Sequence, residues 1–414
     1  MRMRPFGRLL PAETALSRLL RAARPVAGTE RIPLEAAVGR VAARRATAAR
    51  PVPAFARATW DGYAVRSRDV AGATSAAPIR LPVVGAVYAE GNAPTRLRPG
   101  TAVAIATGGA MPPGADAVAI VEHVRESPGA IALDRPVPAG ERIAAPGSDL
   151  RRGAVLVRPG DLLTPARLGA LAIAGHSGVT VHRRPTVAIV PNGNELVPPG
   201  GPLGAGQIHE ANTSMLVAVV EAAGGIPSAV PPVRDDPDAI ERALRVALRS
   251  SDLIVVTGGS SVGDHDYLPT VFPRIGRLLF HGIAVRPGKP TLAAAAHGRL
   301  LVGMPGHPTS CLSNAYWLLL PVLRRLAHRT GPGWTEGLAV LEVPVDPAPP
   351  PFVTIVPLAV RDGKATPTFR DSSAVTSLTG ANAYAYLPAG TPPLRAGAPV
   401  RVRRLPAPLA AADA

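Results

Sequence analysis

From Pro185 onward the chain alternates apolar β-type runs with amphipathic helical stretches, and no other feature constrains its fold as much. TVAIVPNGNEL is a strand ending in a polar loop. NTSMLVAVVEAAGG is a helix with Asn212 or Thr213 as its cap and Gly224 near its end. SAVPPVRDD is a strand running into two carboxylates. PDAIERALRVALRSS is a helix opened by Pro237, and DLIVVTGG and LLVGMPG are further strands. Strands separated by helices build an open, mainly parallel α/β sheet, and such sheets bind ligands beyond the C-terminal ends of their strands. The polar loops 192–195, 235–236, 257–266 and 304–310 fall there.

Loop 257–266, TGGSSVGDHD, carries the densest chemistry. Gly258, Gly259 and Gly263 tolerate the positive φ of a tight anion-binding turn. The hydroxyls of Ser260 and Ser261 and the carboxylates of Asp264 and Asp266 follow at once. Donors for phosphate and ligands for a divalent cation therefore share one loop, which suits a phosphorylated ligand bound with a metal ion. GSSVG also matches the nucleophile elbow G-x-S-x-G with Ser261 as nucleophile, and His297, His307 or His328 would have to complete a triad. An elbow requires an immediate helix, whereas DHDYLP is acidic and broken by proline. Neither a G-x-x-x-x-G-K-[ST] loop nor H-E-x-x-H is present.

Length predicts two to four domains. Residues 12–24 and LEAAVGRVAA (34–43) have helical apolar spacing. Residues 51–144 change texture to short strands broken by Gly and Pro, a β-rich unit inserted into a discontinuous first domain made of 1–50 and 145–182. The α/β domain then spans 183–332, and 333–414 reads as a small all-β domain. Pro (48) and Gly (42) are spread through apolar runs, so they mark turns rather than global disorder.

The net charge of +16 favours anionic substrates. It does not point to nucleic acid, because the basic residues come in scattered pairs with no interleaved aromatic rings to stack bases. Only Lys289 and Lys364 are lysines among 45 basic residues, so a lysine marks a place that needs a compact ammonium. Lys289 sits in RPGKP with Arg286. Lys364 sits in RDGK, a hairpin turn. A single cysteine, Cys311, excludes an intramolecular disulfide and fits a cytoplasmic protein. No signal peptide or membrane-spanning run is evident. MPGHPTSC opens a helix at Pro308 with the hydroxyls of Thr309 and Ser310, either as ordinary capping or as an oxyanion site.

These segments, in this order, resemble the molybdopterin molybdotransferase family of the MoeA type, which includes the E domain of gephyrin. The match runs nearly end to end through LEAAVGRVAA, PVPAFARATWDGYAV, TGGAMPPGADAV, GSDLRRGAVLVRPG, NGNEL, RDDP, TGGSSVGDHDY, RPGKP, MPGHPTS and SSAVTSL. The resemblance implies that adenylylated molybdopterin and molybdate react, with Mg²⁺ assistance, to give molybdenum cofactor and AMP. It implies a homodimer and possible contacts with a molybdopterin adenylyltransferase and with molybdoenzymes. Asp61, Thr107, Asp149, Glu195, Asp235, Asp266 and Lys289 match catalytic positions, with Glu195, Asp235 and Asp266 the metal-binding acids. Gly258, Gly259, Ser260, Ser261 and Gly263 match the pterin-phosphate loop, and Arg286, Pro305, Pro308, Ser310 and Ser373 match the remaining binding positions, with Arg286, Lys289, Ser310 and Ser373 receiving molybdate. Departures from the family pattern are Trp60 for a usual Met, Asn192 and Asn194 for Thr and Asp, His307 for Asn, and PAPPPFVTIV, which lacks an expected Arg. A non-catalytic molybdopterin carrier is the alternative, with a serine hydrolase a distant third. Molybdate and tungstate are not distinguished.

Overall fold

The computed structural model describes residues 7–90, 96–261, 263 and 266–406. Val262, Asp264 and His265 lie outside the described residues, so the Asp264 carboxylate of the glycine loop does too. The chain forms two compact units, one made of 31–38 and 42–180, the other of 1–30, 39–41 and 181–414.

The first unit is built on a six-stranded sheet. Its spatial order is Ala117–Ile120, Gly62–Val65, Ala102–Ile105, Ile79–Val87, Ala130–Leu133, Val124–Ser127. Alternation along these strands places Val65, Leu81, Ile131 and Leu133 in one core, and Val87, Val103 and Ile105 in another. LEAAVGRVAA is not a helix. Only a single 3₁₀ turn, Leu34–Ala36, forms there, because Gly39 takes a φ of 71° and Val38 stays exposed.

In the second unit β1 (Thr186–Pro191), α1 (Asn212–Ala223), β2 (Ile226–Ala229), α2 (Pro237–Ser250), β3 (Leu253–Thr257), α3 (Leu268–Ile275), β4 (Arg277–His281), β5 (Leu292–Ala296) and β6 (Arg299–Met304) follow one another. The sheet order is β2-β1-β3-β6-β5-β4. The first four strands of that order are parallel, and β5 and β4 add an antiparallel edge. β3 is buried at all five positions, as a strand covered on both faces must be. α2 buries Ile240, Leu244, Ala247 and Leu248 on one stripe, and the Asp236 carboxylate caps it by accepting from the Ala239 amide at 2.7 Å. α1 ends at Gly224 with φ 93°. Its start differs from the sequence expectation. Neither Asn212 nor Thr213 caps it; both Glu210 carboxylate oxygens accept from the Thr213 amide at 3.1 Å, while the buried Asn212 donates to Gly306 O at 2.7 Å.

After β6, helix α4 (Pro308–Asn314) runs through a π turn, Ala315–Leu319, into α5 (Leu320–Leu326). The remaining chain forms a closed five-stranded barrel, because Val353–Arg361 pairs with both Lys364–Pro367 and Ala383–Leu387, and Val285–Arg286 adds a sixth, parallel strand to one end of Val353–Arg361. Asp362 and Gly363, both with positive φ, make the hairpin turn expected at RDGK. One apolar core joins helix Ala12–Ala22, the sheet, α4, α5 and the barrel through Leu19, Val255, Trp317, Ile355 and Tyr384. Among the described residues no helix is long and apolar enough to cross a membrane.

Candidate functional site

The strand C-termini of the α/β sheet open onto a cavity of about 1190 Å³ whose opposite wall is the barrel. Glu195, Asp235 and Asp266 reach it from three separate loops, after β1, β2 and β3. Gly258, Gly259, Ser260, Ser261 and Gly263 line it, as do Arg286, Lys289, Pro305 and Ser310. Pro308 opens α4 but is not on the cavity wall. Ser373 is not there either. Its hydroxyl and amide both donate to Asp371 Oδ1, at 2.5 and 2.7 Å, and Ser372 lines the cavity instead. Asp61, Thr107 and Asp149 belong to the other unit.

The glycine loop spends its donors in a way that spacing alone does not reveal. The Ser261 amide donates to Asp266 Oδ1 at 2.9 Å and the Gly263 amide to Oδ2 at 2.7 Å. Asp266 therefore ties the loop on itself, and those two amides are turned to a carboxylate rather than offered to a ligand. The Ser260 hydroxyl is buried and donates to Met304 O at 3.2 Å. Gly258 (φ 83°) and Gly259 (φ 61°) are required here: a Cβ on the first would lie 2.2 Å from Asn192 O, and one on the second 2.4 Å from Asn192 Oδ1. Helix α3 begins only at Leu268, so the strand–turn–helix of a nucleophile elbow is not formed around Ser261.

Asp235 is clasped by Asn194. The Asn194 amide donates to Asp235 Oδ2 at 3.0 Å, and the Asp235 amide donates to Asn194 Oδ1 at 3.2 Å. Glu195 folds back over Gly193, where an added Cβ would stand 2.7 Å from both carboxylate oxygens. Among the described residues no group of three or more His, Cys, Asp or Glu is gathered closely enough to hold a metal ion alone. The acids nevertheless share one cavity and offer hard oxygen donors. That fits Mg²⁺, which keeps several waters and is held by one or two carboxylates together with substrate phosphates.

On the cationic side, RPGKP is anchored from below. The buried Asn314 amide donates to Gly288 O at 2.9 Å and Thr291 Oγ1 at 2.8 Å, and the Trp317 indole donates to Asn314 Oδ1 at 2.8 Å. Arg286 lies with its guanidinium 4.5 Å over the Phe352 ring, on the strand pair that joins sheet to barrel. His307 Nδ1 is 3.0 Å from Ser372 Oγ, and the Thr309 hydroxyl donates to Ala374 O at 2.8 Å, pinning loop 369–374 across the start of α4. The sequence pointed to this loop through Ser373, but not to Ser372, and not to Asn314. Asn314 sits in SNAYWLLL, where a polar residue reads as the outer face of a helix.

In the other unit, Asp61 and Thr107 meet. The Thr107 amide donates to Asp61 Oδ1 at 2.6 Å, and this bond holds the carboxyl below the ordinary aspartate range. Gly62 is obligatory beside it, since a Cβ would collide with Ala119 O at 2.1 Å. Trp60 is exposed and covered by the Arg142 guanidinium at 4.8 Å, so the larger side chain is accommodated at the surface. Asp149 stands in a separate turn, its amide bonded to Val52 O at 3.1 Å.

Fold and cavity together define a multidomain α/β protein that brings acids and cations to one cavity at its strand ends. The chain matches the family models for the MoeA N-terminal region (domain I and II) over residues 10–175, a probable molybdopterin binding domain over 188–325, and the MoeA C-terminal region (domain IV) over 340–405. It is 36% identical over 384 residues to the molybdopterin molybdenumtransferase of Bacillus subtilis, covering 90% of this chain and 89% of that one. It is 34% identical to the protein of the same name from Synechococcus elongatus, covering 91% and 94%. The crystal structure of a molybdopterin biosynthesis MoeA protein from Pyrococcus horikoshii superposes with a TM-score of 0.83 at 34% identity, covering 96% of this chain and 99% of the other. The chain belongs to the MoeA family.

Proposed function

We propose that this protein is a molybdopterin molybdenumtransferase of molybdenum cofactor biosynthesis, taking adenylylated molybdopterin and molybdate and releasing molybdenum cofactor and AMP. One observation carries the reading: Glu195, Asp235 and Asp266, from three strand ends, face the same cavity as Arg286, Lys289 and Ser310. Carboxylates and cations facing each other across one space suit a diphosphate linkage on one side and an oxyanion on the other.

Each group has a defined task in this reading. Lys289, Arg286 and Ser310 hold a tetrahedral dianion by charge and hydrogen bonds without coordinating its metal. Asp266 fixes the glycine loop in the shape that receives the pterin phosphate. Asp235, oriented by Asn194, and Glu195 would hold Mg²⁺ on the diphosphate. When bound, that ion would offset the charge that develops as the phosphoanhydride breaks. The enzyme is taken to be a cytoplasmic homodimer in which Asp61 and Thr107 of one protomer serve the partner's cavity.

The purified protein is expected to release AMP from adenylylated molybdopterin when molybdate and Mg²⁺ are supplied. Binding of the nucleotide without AMP release would instead make it a carrier. The absence of both binding and release would overturn the proposal. Running the assay with tungstate in parallel determines which oxyanion is preferred.

A further inference from the structure

The barrel wall of the cavity carries a cation that the function above does not use. Strand Val353–Arg361 contributes only uncharged side chains to the cavity, Thr354, Ile355 and Val356. The next loop, leaving hairpin strand Lys364–Pro367, brings Arg370 to the same wall. Its backbone is fixed, because the Arg370 amide donates to the buried Ser377 Oγ at 2.9 Å. The loop is held against α4 two residues later by Ser372, which contacts His307 and accepts from the Thr309 amide at 3.2 Å.

The charge of Arg370 is not engaged by the fold. Among the described residues its guanidinium makes no hydrogen bond or ion pair. The adjacent carboxylate, Asp371, is committed elsewhere: its Oδ1 accepts from the Ser373 hydroxyl, the Ser373 amide and the Ala374 amide, the last at 3.0 Å. Arg286 is stacked on Phe352, which covers one face of its guanidinium and leaves its N–H donors, like the five of Arg370, without a hydrogen bond among the described residues. On a wall that is otherwise mostly apolar, and with no ion pair to Asp346 or Asp371, such a guanidinium is matched by an oxyanion that accepts two of its N–H groups at once.

We propose that Arg370 is an anion-binding and specificity-determining residue of this cavity, gripping a tetrahedral dianion from the barrel side while Lys289 and Ser310 hold one from the sheet side. The inference rests on the transferase reading. The dianion is either free molybdate or the phosphate monoester of the pterin, which share charge and shape.

Titration calorimetry of the full-length protein with molybdate, and separately with inorganic phosphate as the monoester probe, distinguishes the two. Arg370→Ala is expected to weaken binding of one of them by roughly tenfold or more, with Arg370→Lys recovering only part of it, since a point charge does not replace the fork. Arg401→Ala, an exposed barrel arginine off the cavity wall, controls for loss of overall charge and should leave both affinities unchanged. In the AMP-release assay, a molybdate role predicts a raised KM for molybdate with kcat retained at saturation. Unchanged affinity for both anions in Arg370→Ala, with wild-type binding intact, overturns this inference alone. A wild-type protein that binds neither anion and releases no AMP overturns the transferase reading as well.

Discussion

Gly288 decides where Lys289 stands. Its φ is 113°, and a Cβ there would fall 2.3 Å from Asn314 Nδ2 and 2.5 Å from Asn314 Oδ1, inside a buried network that also holds Thr291 and Trp317. Gly288→Ala must strain the backbone and displace that amide. It is expected to lower stability by about 2–4 kcal/mol in urea unfolding, the sum of a strained φ and an orphaned buried polar group, and to raise the KM for molybdate as well. Asp266→Asn replaces one acceptor oxygen by an amino group facing an N–H donor, either Ser261 or Gly263. AMP release should fall by more than about tenfold while the midpoint of thermal unfolding moves little, because the loop is at the surface of the core. An unchanged rate would remove Asp266 from the mechanism. The sequence displayed Lys289 and Asp266 as chemistry. It concealed Asn314 and the inward turn of Asp266, because both depend on partners distant in the chain or on which way a short loop closes.

At the level of elements, the two neighbouring acids Asp235 and Asp236 divide structure from chemistry. Asp236 caps α2, so Asp236→Ala should cost about 1 kcal/mol of stability and leave turnover alone. Asp235 faces the cavity, so Asp235→Asn should do the reverse; the pair is read by urea unfolding beside AMP release. Strands and helices with long periodic runs, such as LIVVT and PDAIERALRVALRS, were legible because burial on two faces or on one stripe writes itself into the side-chain period. LEAAVGRVAA was misread for the opposite reason. Its apolar residues have helical spacing, but Gly39 can adopt a positive φ, and the chain uses that freedom to leave the helix. The cap of α1 was assigned to Asn212 or Thr213 on residue type, while Glu210 reaches it with a longer side chain.

Across the whole molecule, the +16 charge predicts that capture of anionic substrates is weakened by salt. The KM for molybdate should rise between low and physiological ionic strength with kcat steady, and a salt-independent KM would remove the steering argument. A second global prediction concerns acid. Asp252 is part-buried, which by itself would raise its pKa, but two bonds from the Arg183 guanidinium, both 2.9 Å, and one from the Thr186 amide outweigh burial and lower it. A depressed folded value means this pair stabilises the fold above an aspartate's ordinary value, about 3.9, and that the stabilisation is lost as pH falls through the lower folded value. Asp252→Asn should therefore unfold at lower temperature than wild type at pH 7, and the difference should shrink below about pH 4.

Strand Val285–Arg286 has a place in the chain between β4 and β5, yet it hydrogen-bonds to the barrel. The α/β sheet and everything after Trp334 are in this sense stitched, not hinged. A gene fragment ending near Gly333 would leave that stitch without its fabric: a bare strand edge beside the lysine that meets the oxyanion, prone to pair with a neighbouring molecule. Exchange of this C-terminal cassette between relatives should thus succeed only when RPGKP travels with it.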